Sequence, residues 1–354
     1  MARRGHAWDG VIAAYRPLLP VSETTPVVTL YEGNTPLIPL SRVAARLGIG
    51  IELFAKCEAF NPTGSFKDRG MTVAVSKALE SGTRGLLCAS TGNTSASAAA
   101  FAARAGLPCF VLVPQGAVAP GKLSQAVAHG ARVLAVRAGF DVALRLAEQA
   151  AAACGLTLVN SINPLRIEGQ KTAAFEIVDQ LGRAPDVVAI PVGNAGNITA
   201  YWKGFCEYRA AGRIDTLPRM FGFQAAGAAP IVEGRIIKHP QTIASAIRIG
   251  RPASWEGATR ARDASGGLID RVSDAAILEA QRLLADHEGI FCEPASAAAL
   301  AGLIQTARDG RLGTARTAVC IITGHGLKDP AAVGPVEPQV VDAELSAIER
   351  VMSA

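Results

Sequence analysis

The sequence is short of several things, and each shortage narrows what the chain can be. Its seven cysteines, at positions 57, 88, 109, 154, 206, 292 and 320, form no CxxC pair, and its five histidines are just as dispersed. That pattern argues for reduced thiols in a cytosolic protein and against a zinc site. No apolar run is long enough to span a bilayer. The opening "MARRGHAWDGVIAAYRPLLP" has basic residues but no continuous apolar core, which argues against a signal peptide. A soluble, cytoplasmic protein is expected. Aromatic residues are 5% and charged residues 18% of the chain, and Lys plus Arg exceed Asp plus Glu by only 35 to 30. With no basic stripe interleaved with aromatics, nucleic acid is a poor partner. No GxGxxG fingerprint is present. The near-match to a phosphate loop, "GAVAPGKL" at 116–123, has leucine where a hydroxyl must hold magnesium, which excludes nucleoside-triphosphate hydrolysis.

What is there is apolar residues in a regular rhythm. At 354 residues and 49% hydrophobic composition, the chain is too long for one core, and two domains are expected. From about residue 70, short β-rich apolar runs alternate with amphipathic stretches. "RGLLCAS" (84–90), "CFVLVP" (109–114), "ARVLAV" (131–136) and "LTLVN" (156–160) read as strands, separated by helices. A second series has a helix over 168–182, strand "DVVAIPVG" (186–193), a helix near 197–210, and strands "MFGFQAA" (220–226) and "TAVCIITG" (317–324). Apolar strands alternating with helices predict an α/β fold with two open parallel sheets and a cleft between them. The smaller domain is assigned to 45–158, and the larger to 1–44 and 159–354. The irregular segment 251–270 is expected to be a mobile loop near the cleft. In such sheets ligands bind beyond the carboxyl ends of the strands.

Four turns at such places can carry chemistry. In "NPTGSFKDRG" (61–70) Ser65 reads as the cap of a helix that places Lys67 in its first turn. There the macrodipole disfavours an ammonium, and burial would drive the amine toward neutrality and nucleophilicity. The plain alternative is a surface lysine paired with an acid. "STGNTSAS" (90–97) offers hydroxyls and helix-start N–H donors to a small anion, or is an ordinary cap. "GNAGN" (193–197) has residues small enough for backbone N–H groups to converge on a phosphate, or is a simple left-handed turn. In "VNSINPLRIEGQKT" (159–172), Asn160, Ser161 and the Arg166 fork suit a second phosphate, unless Arg166 lies on the surface.

Taken in order, "NPTGSFKDRG", "STGNTSAS", "GNAGN" and "ITGHGLKDP" (322–330) resemble the threonine synthase family. It is one of the tryptophan-synthase-β-like, fold type II pyridoxal-phosphate enzymes. The similarity runs from "YEGNTPLIPL" (31–40) to "GHGLKDP". It implies pyridoxal 5'-phosphate in the interdomain cleft, bound covalently by Lys67. Asn93 would bond the cofactor's 3-hydroxyl, and Gly193, Asn194, Ala195, Gly196 and Asn197 would cradle its phosphate. Thr323, where many relatives have serine, would face the ring nitrogen with a neutral hydroxyl. Ser90, Thr91 and Thr94 would hold the substrate carboxylate. Asn160, Ser161 and Arg166 would hold the substrate phosphate, with Lys122 and Thr94 as further candidates. The implied reaction turns O-phospho-L-homoserine and water into L-threonine and phosphate, in a homodimer. Two rivals stay open: a serine or threonine dehydratase, which needs no anion pocket around Arg166, and a phosphate-binding module without chemistry.

Overall fold

The computed structural model describes residues 8–116, 120–333 and 337–352. Its strands are β1 (Leu37–Pro39), β2 (Glu52–Cys57), β3 (Leu86–Ala89), β4 (Cys109–Pro114), β5 (Arg132–Val136), β6 (Thr157–Leu158), β7 (Val187–Pro191), β8 (Arg219–Ala225), β9 (Leu268–Val272) and β10 (Thr317–Ile322). They form a six-stranded sheet in the order β1-β2-β10-β7-β8-β9 and a four-stranded sheet in the order β5-β4-β3-β6. β1 pairs antiparallel with β2, and the other pairs are parallel. Parallel neighbours need crossover connections, and the helices that supply them cover both sheet faces.

The period of two along each strand sorts side chains between separate cores. In β10, Ala318, Cys320 and Ile322 pack on one face with Leu300 and Leu303 of helix Pro294–Arg308. Val319 and Ile321 pack on the other face with Tyr201 and Phe205 of helix Gly196–Ala210. The small sheet divides likewise: Leu86 and Cys88 of β3 face one core, Leu87 and Ala89 the other. β5 is an edge strand and is only partly covered. Helix Lys67–Glu80 lies at the seam, with Val73 in a core of the large sheet and Met71, Ala74 and Val75 in a core of the small one.

Three expectations need correction. β2 falls within the span assigned to the smaller domain, yet it hydrogen-bonds into the large sheet, in register with β10 from Glu52–Thr317 to Cys57–Ile322. The helix expected over 168–182 is two helices, Pro164–Gln170 and Thr172–Leu181. At the join the Thr172 hydroxyl donates to Gly169 O (2.7 Å) and diverts a helical carbonyl. Residues 251–270 are not a loop: they contain helix Trp255–Ala264 and the start of β9. Their polarity reflects exposure at the sheet edge. Among the described residues no helix is long and apolar enough to cross a membrane.

Candidate active site

Lys67 is the first residue of its helix, and an ionic network buried beneath that helix fixes its first turn. Arg69 Nε donates to Glu58 Oε2 (2.6 Å) and its Nη1 to Glu176 Oε1 (2.6 Å), while Lys56 Nζ donates to Glu176 Oε2 (2.8 Å). These side chains are almost wholly removed from water. Such pairs contribute geometry more dependably than net stability. Asp68 points away from Lys67, accepting from Thr63 N (2.7 Å), Thr63 Oγ1 (2.6 Å) and Ser97 Oγ (2.6 Å).

Lys67 therefore has no acid partner in its own turn. Its Nζ stands 3.8 Å from the centre of the Phe66 ring, and no described carboxylate is within salt-bridge distance. Burial, then the positive charge of Arg166, lower its pKa to about 7, against the opposing pull of Glu293. At neutral pH a large fraction of this amine is unprotonated. Ser65 does not cap the helix. Phe66 occupies the cap position in helical geometry, and Ser65 Oγ is buried without a partner. The chain is already committed there to bonds with another segment: Phe66 N donates to Thr323 O (3.0 Å) and His325 N to Gly64 O (2.9 Å).

Thr323, at the end of β10, is thereby brought against the lysine turn. Its hydroxyl lies 2.8 Å from Ser296 Oγ, which also accepts from Gly324 N (2.9 Å). At the end of β3, Ser90 Oγ accepts from Gly92 N (3.3 Å), and Ser90, Thr91, Asn93 and Thr94 are half-buried around the start of helix Asn93–Ala105. Asn93 Nδ2 donates to both carboxylate oxygens of Glu293 (3.2 and 3.0 Å).

After β7, Ala195 adopts φ 65°, a left-handed conformation costly for a residue with a Cβ, and helix Gly196–Ala210 starts immediately. This strain turns the backbone N–H groups at the helix start toward a common point, a nest for an anion. Both polar atoms of the Asn197 side chain are buried without partners. Asn194 is held by Ser254 N, which donates to its carbonyl (3.0 Å).

Arg166 is the most telling residue. It is 1% exposed, its Nη1 donates to Val159 O (3.2 Å), and its Nε has no partner. Burial lowers even this guanidinium to about 10. A buried cation without a counterion is costly unless an anion arrives. Helix Pro164–Gln170 holds it against the lysine helix at Gly70, where a Cβ would stand 2.7 Å from Arg166 O. Asn160 is buried, but its carboxamide is engaged with Ala89: Nδ2 donates to Ala89 O (2.8 Å), and Oδ1 accepts from Ala89 N (2.9 Å). Ser161 is half-buried beside it. The Lys122 side chain, and residues 117–119 of the rejected phosphate-loop match, lie outside the described residues.

Three contributors escape sequence reading. Glu293 and Ser296 face Asn93 and Thr323 as described, and Lys328 Nζ donates to Gln125 Oε1, whose amide also donates to Thr63 O (3.3 Å). An acid before proline reads as a helix cap, so the sequence carried no sign of Glu293's partner.

A nucleophilic lysine, an anion nest and a neutral hydroxyl at a strand end, in a cleft between two parallel sheets, define an enzyme that holds a phosphorylated aldehyde. Comparison agrees: a family model described as "Pyridoxal-phosphate dependent enzyme" matches residues 28–324, and the chain belongs to that family. Similar proteins within it are threonine synthases. That of Synechocystis sp. is 59% identical over 323 residues, 91% of this chain and 84% of the relative. That of Mycobacterium tuberculosis is 60% identical over 91% of this chain and 89% of the relative. That of Methanocaldococcus jannaschii is 51% identical over 96% and 86%. Among solved structures, maize serine racemase superposes with a TM-score of 0.74 at 21% identity, covering 97% of both chains. A bacterial-type threonine deaminase, from T.th., does so with 0.72 at 26% identity, covering 93% of this chain and 98% of that one. The residues present fit the cofactor, since a depressed lysine and orphaned polar groups at a nest suit an aldehyde with an anionic tail.

Proposed function

We propose that the chain converts O-phospho-L-homoserine and water into L-threonine and phosphate, using pyridoxal 5'-phosphate. The observation that carries this reading is Arg166: a second anion-seeking group, buried and without a counterion, whose charge acts on Lys67. A dehydratase acting on a neutral hydroxyl has no use for it.

In this reading Lys67 binds the cofactor aldehyde, and Gly193, Asn194, Ala195, Gly196 and Asn197 receive its phosphate. Asn93 and Thr323 face its 3-hydroxyl and ring nitrogen. Bound pyridoxal phosphate supplies an electron sink for negative charge at the substrate's α and β carbons. Ser90, Thr91 and Thr94 hold the substrate carboxylate, and Arg166 with Ser161 and the remaining Asn160 N–H holds its phosphate. Lys67, poised near neutrality, takes protons from Cα and Cβ and returns them to Cγ and Cα. Phosphate departs from Cγ, and water adds at Cβ. Thr323 offers the ring nitrogen a hydroxyl and no carboxylate, so protonation there is not enforced. Assembly as a homodimer and a cytoplasmic setting belong to the same proposal, on the strength of the resemblance.

The test is an assay for phosphate and threonine from O-phospho-L-homoserine, run beside L-serine and L-threonine. Stoichiometric threonine and phosphate are expected. Keto acid and ammonia from serine or threonine, without threonine from the phosphorylated substrate, would overturn the reading.

A further inference from the structure

Glu293 stands before Pro294, at the start of helix Pro294–Arg308, where an acidic side chain commonly turns back to cap the helix. It makes no cap bond. Its carboxylate, 3% exposed, instead accepts from Asn93 Nδ2 at 3.2 and 3.0 Å, across 200 residues of sequence. Two features hold it there. Glu293 N donates to Gly324 O (3.0 Å), and Gly324 has no Cβ where one would lie 2.6 Å from Glu293 Oε1. The contact thus joins the helix after β3 of the small sheet to the segment after β10 of the large one.

A carboxylate can only accept, so Glu293 turns the amide nitrogen of Asn93 toward itself. The second N–H and the carbonyl oxygen of Asn93 are then presented in a fixed sense. We propose that Glu293 is a positioning residue, whose carboxylate sets the orientation of the Asn93 carboxamide and thereby the donor that Asn93 offers the cofactor. The charges facing Glu293 are Lys67 and Lys328, which favour its ionised form, and Asp329, which opposes it; burial also raises its pKa. The proposal rests on the reading above only for the place of Asn93 at the cofactor.

The test is a double-mutant cycle on cofactor dissociation, measured by titrating cofactor-free protein with pyridoxal 5'-phosphate. Hydrogen bonds to a charged acceptor lead us to expect roughly tenfold weaker binding in Glu293→Gln. In an Asn93→Ala background the same substitution should change affinity by less than about twofold, because its means of action is gone. Unchanged affinity in Glu293→Gln, or a loss that persists in full beside Asn93→Ala, would overturn the proposal. Should Glu293→Gln not fold, Glu293→Asp keeps the charge but withdraws it by a methylene. An intermediate loss, again absent beside Asn93→Ala, is expected; a loss independent of Asn93 refutes. Threonine formation is not measured in the cycle, so failure of the proposed reaction and failure of this coupling are separate results.

Discussion

Replacing Arg166 by methionine should separate anion recognition from folding. The substitution roughly conserves volume and deletes a buried cation that has one hydrogen bond, to Val159 O, and no counterion. Losing that bond costs about 1 kcal/mol. Relief of an uncompensated buried charge acts in the opposite direction, by as much or more. Thermal or denaturant unfolding of the cofactor-free variant should therefore stay within about 1 kcal/mol of the parent or move upward. A paired buried charge behaves otherwise, since breaking its pair costs about 3–5 kcal/mol. Turnover should fall steeply. Two charge-assisted bonds to the substrate phosphate, at about 1.5–3 kcal/mol each, correspond to a loss of about 10²–10⁴ in kcat/KM. The Lys67 amine, freed from a neighbouring positive charge, should titrate above its present value of about 7. The assays are phosphate release from O-phospho-L-homoserine, unfolding of the cofactor-free protein, and the pH dependence of Lys67 labelling. Unchanged kcat/KM, or a large loss of stability with little loss of turnover, would refute the reasoning and make Arg166 a structural residue.

Three further outcomes are expected. Lys67 is depressed in the folded state, so between about pH 7 and its ordinary value of 10.5 the unfolded chain holds the extra proton. The Lys67 contribution to stability of the cofactor-free protein therefore rises with pH across that window; the difference curve against Lys67→Met should show it, and a flat difference curve would contradict it. In Gly324→Ala, the new methyl must displace the Glu293 carboxylate, which should weaken cofactor binding about tenfold, read by absorbance titration. Gln125→Ala releases Lys328 and Thr63 and should raise KM for O-phospho-L-homoserine severalfold, with cofactor affinity unchanged; equal effects on both constants would count against a substrate-side role.

Most of the fold was legible because its buried parallel strands are apolar on both faces. "LLCA", "VVAIP" and "TAVCII" need no long-range knowledge to be read as strands. β2 and β9 were missed for opposite reasons. "ELFAKC" includes a lysine that is tolerated only because Glu176, 120 residues on, meets it. "LIDRV" is a half-exposed edge strand whose polarity mimics a loop. In the site, the lysine turn, the nest and the arginine were visible as local patterns. What those patterns could not say was which groups lack partners. Arg166 without a counterion and Glu293 turned from its own helix toward Asn93 are facts of tertiary placement, as is Ser65, whose capping role is pre-empted by the chain's bonds to residues 323–325.

The amide of Asn160, zipped onto both backbone groups of Ala89, has a consequence for selectivity. It welds the exits of two neighbouring strands, so the loops bearing Ser90–Thr94 and Ser161–Arg166 leave from one rigid edge. The span between the carboxylate-seeking and phosphate-seeking ends is then a ruler built into the protein. A ligand one carbon shorter would reach one end or the other, but not both.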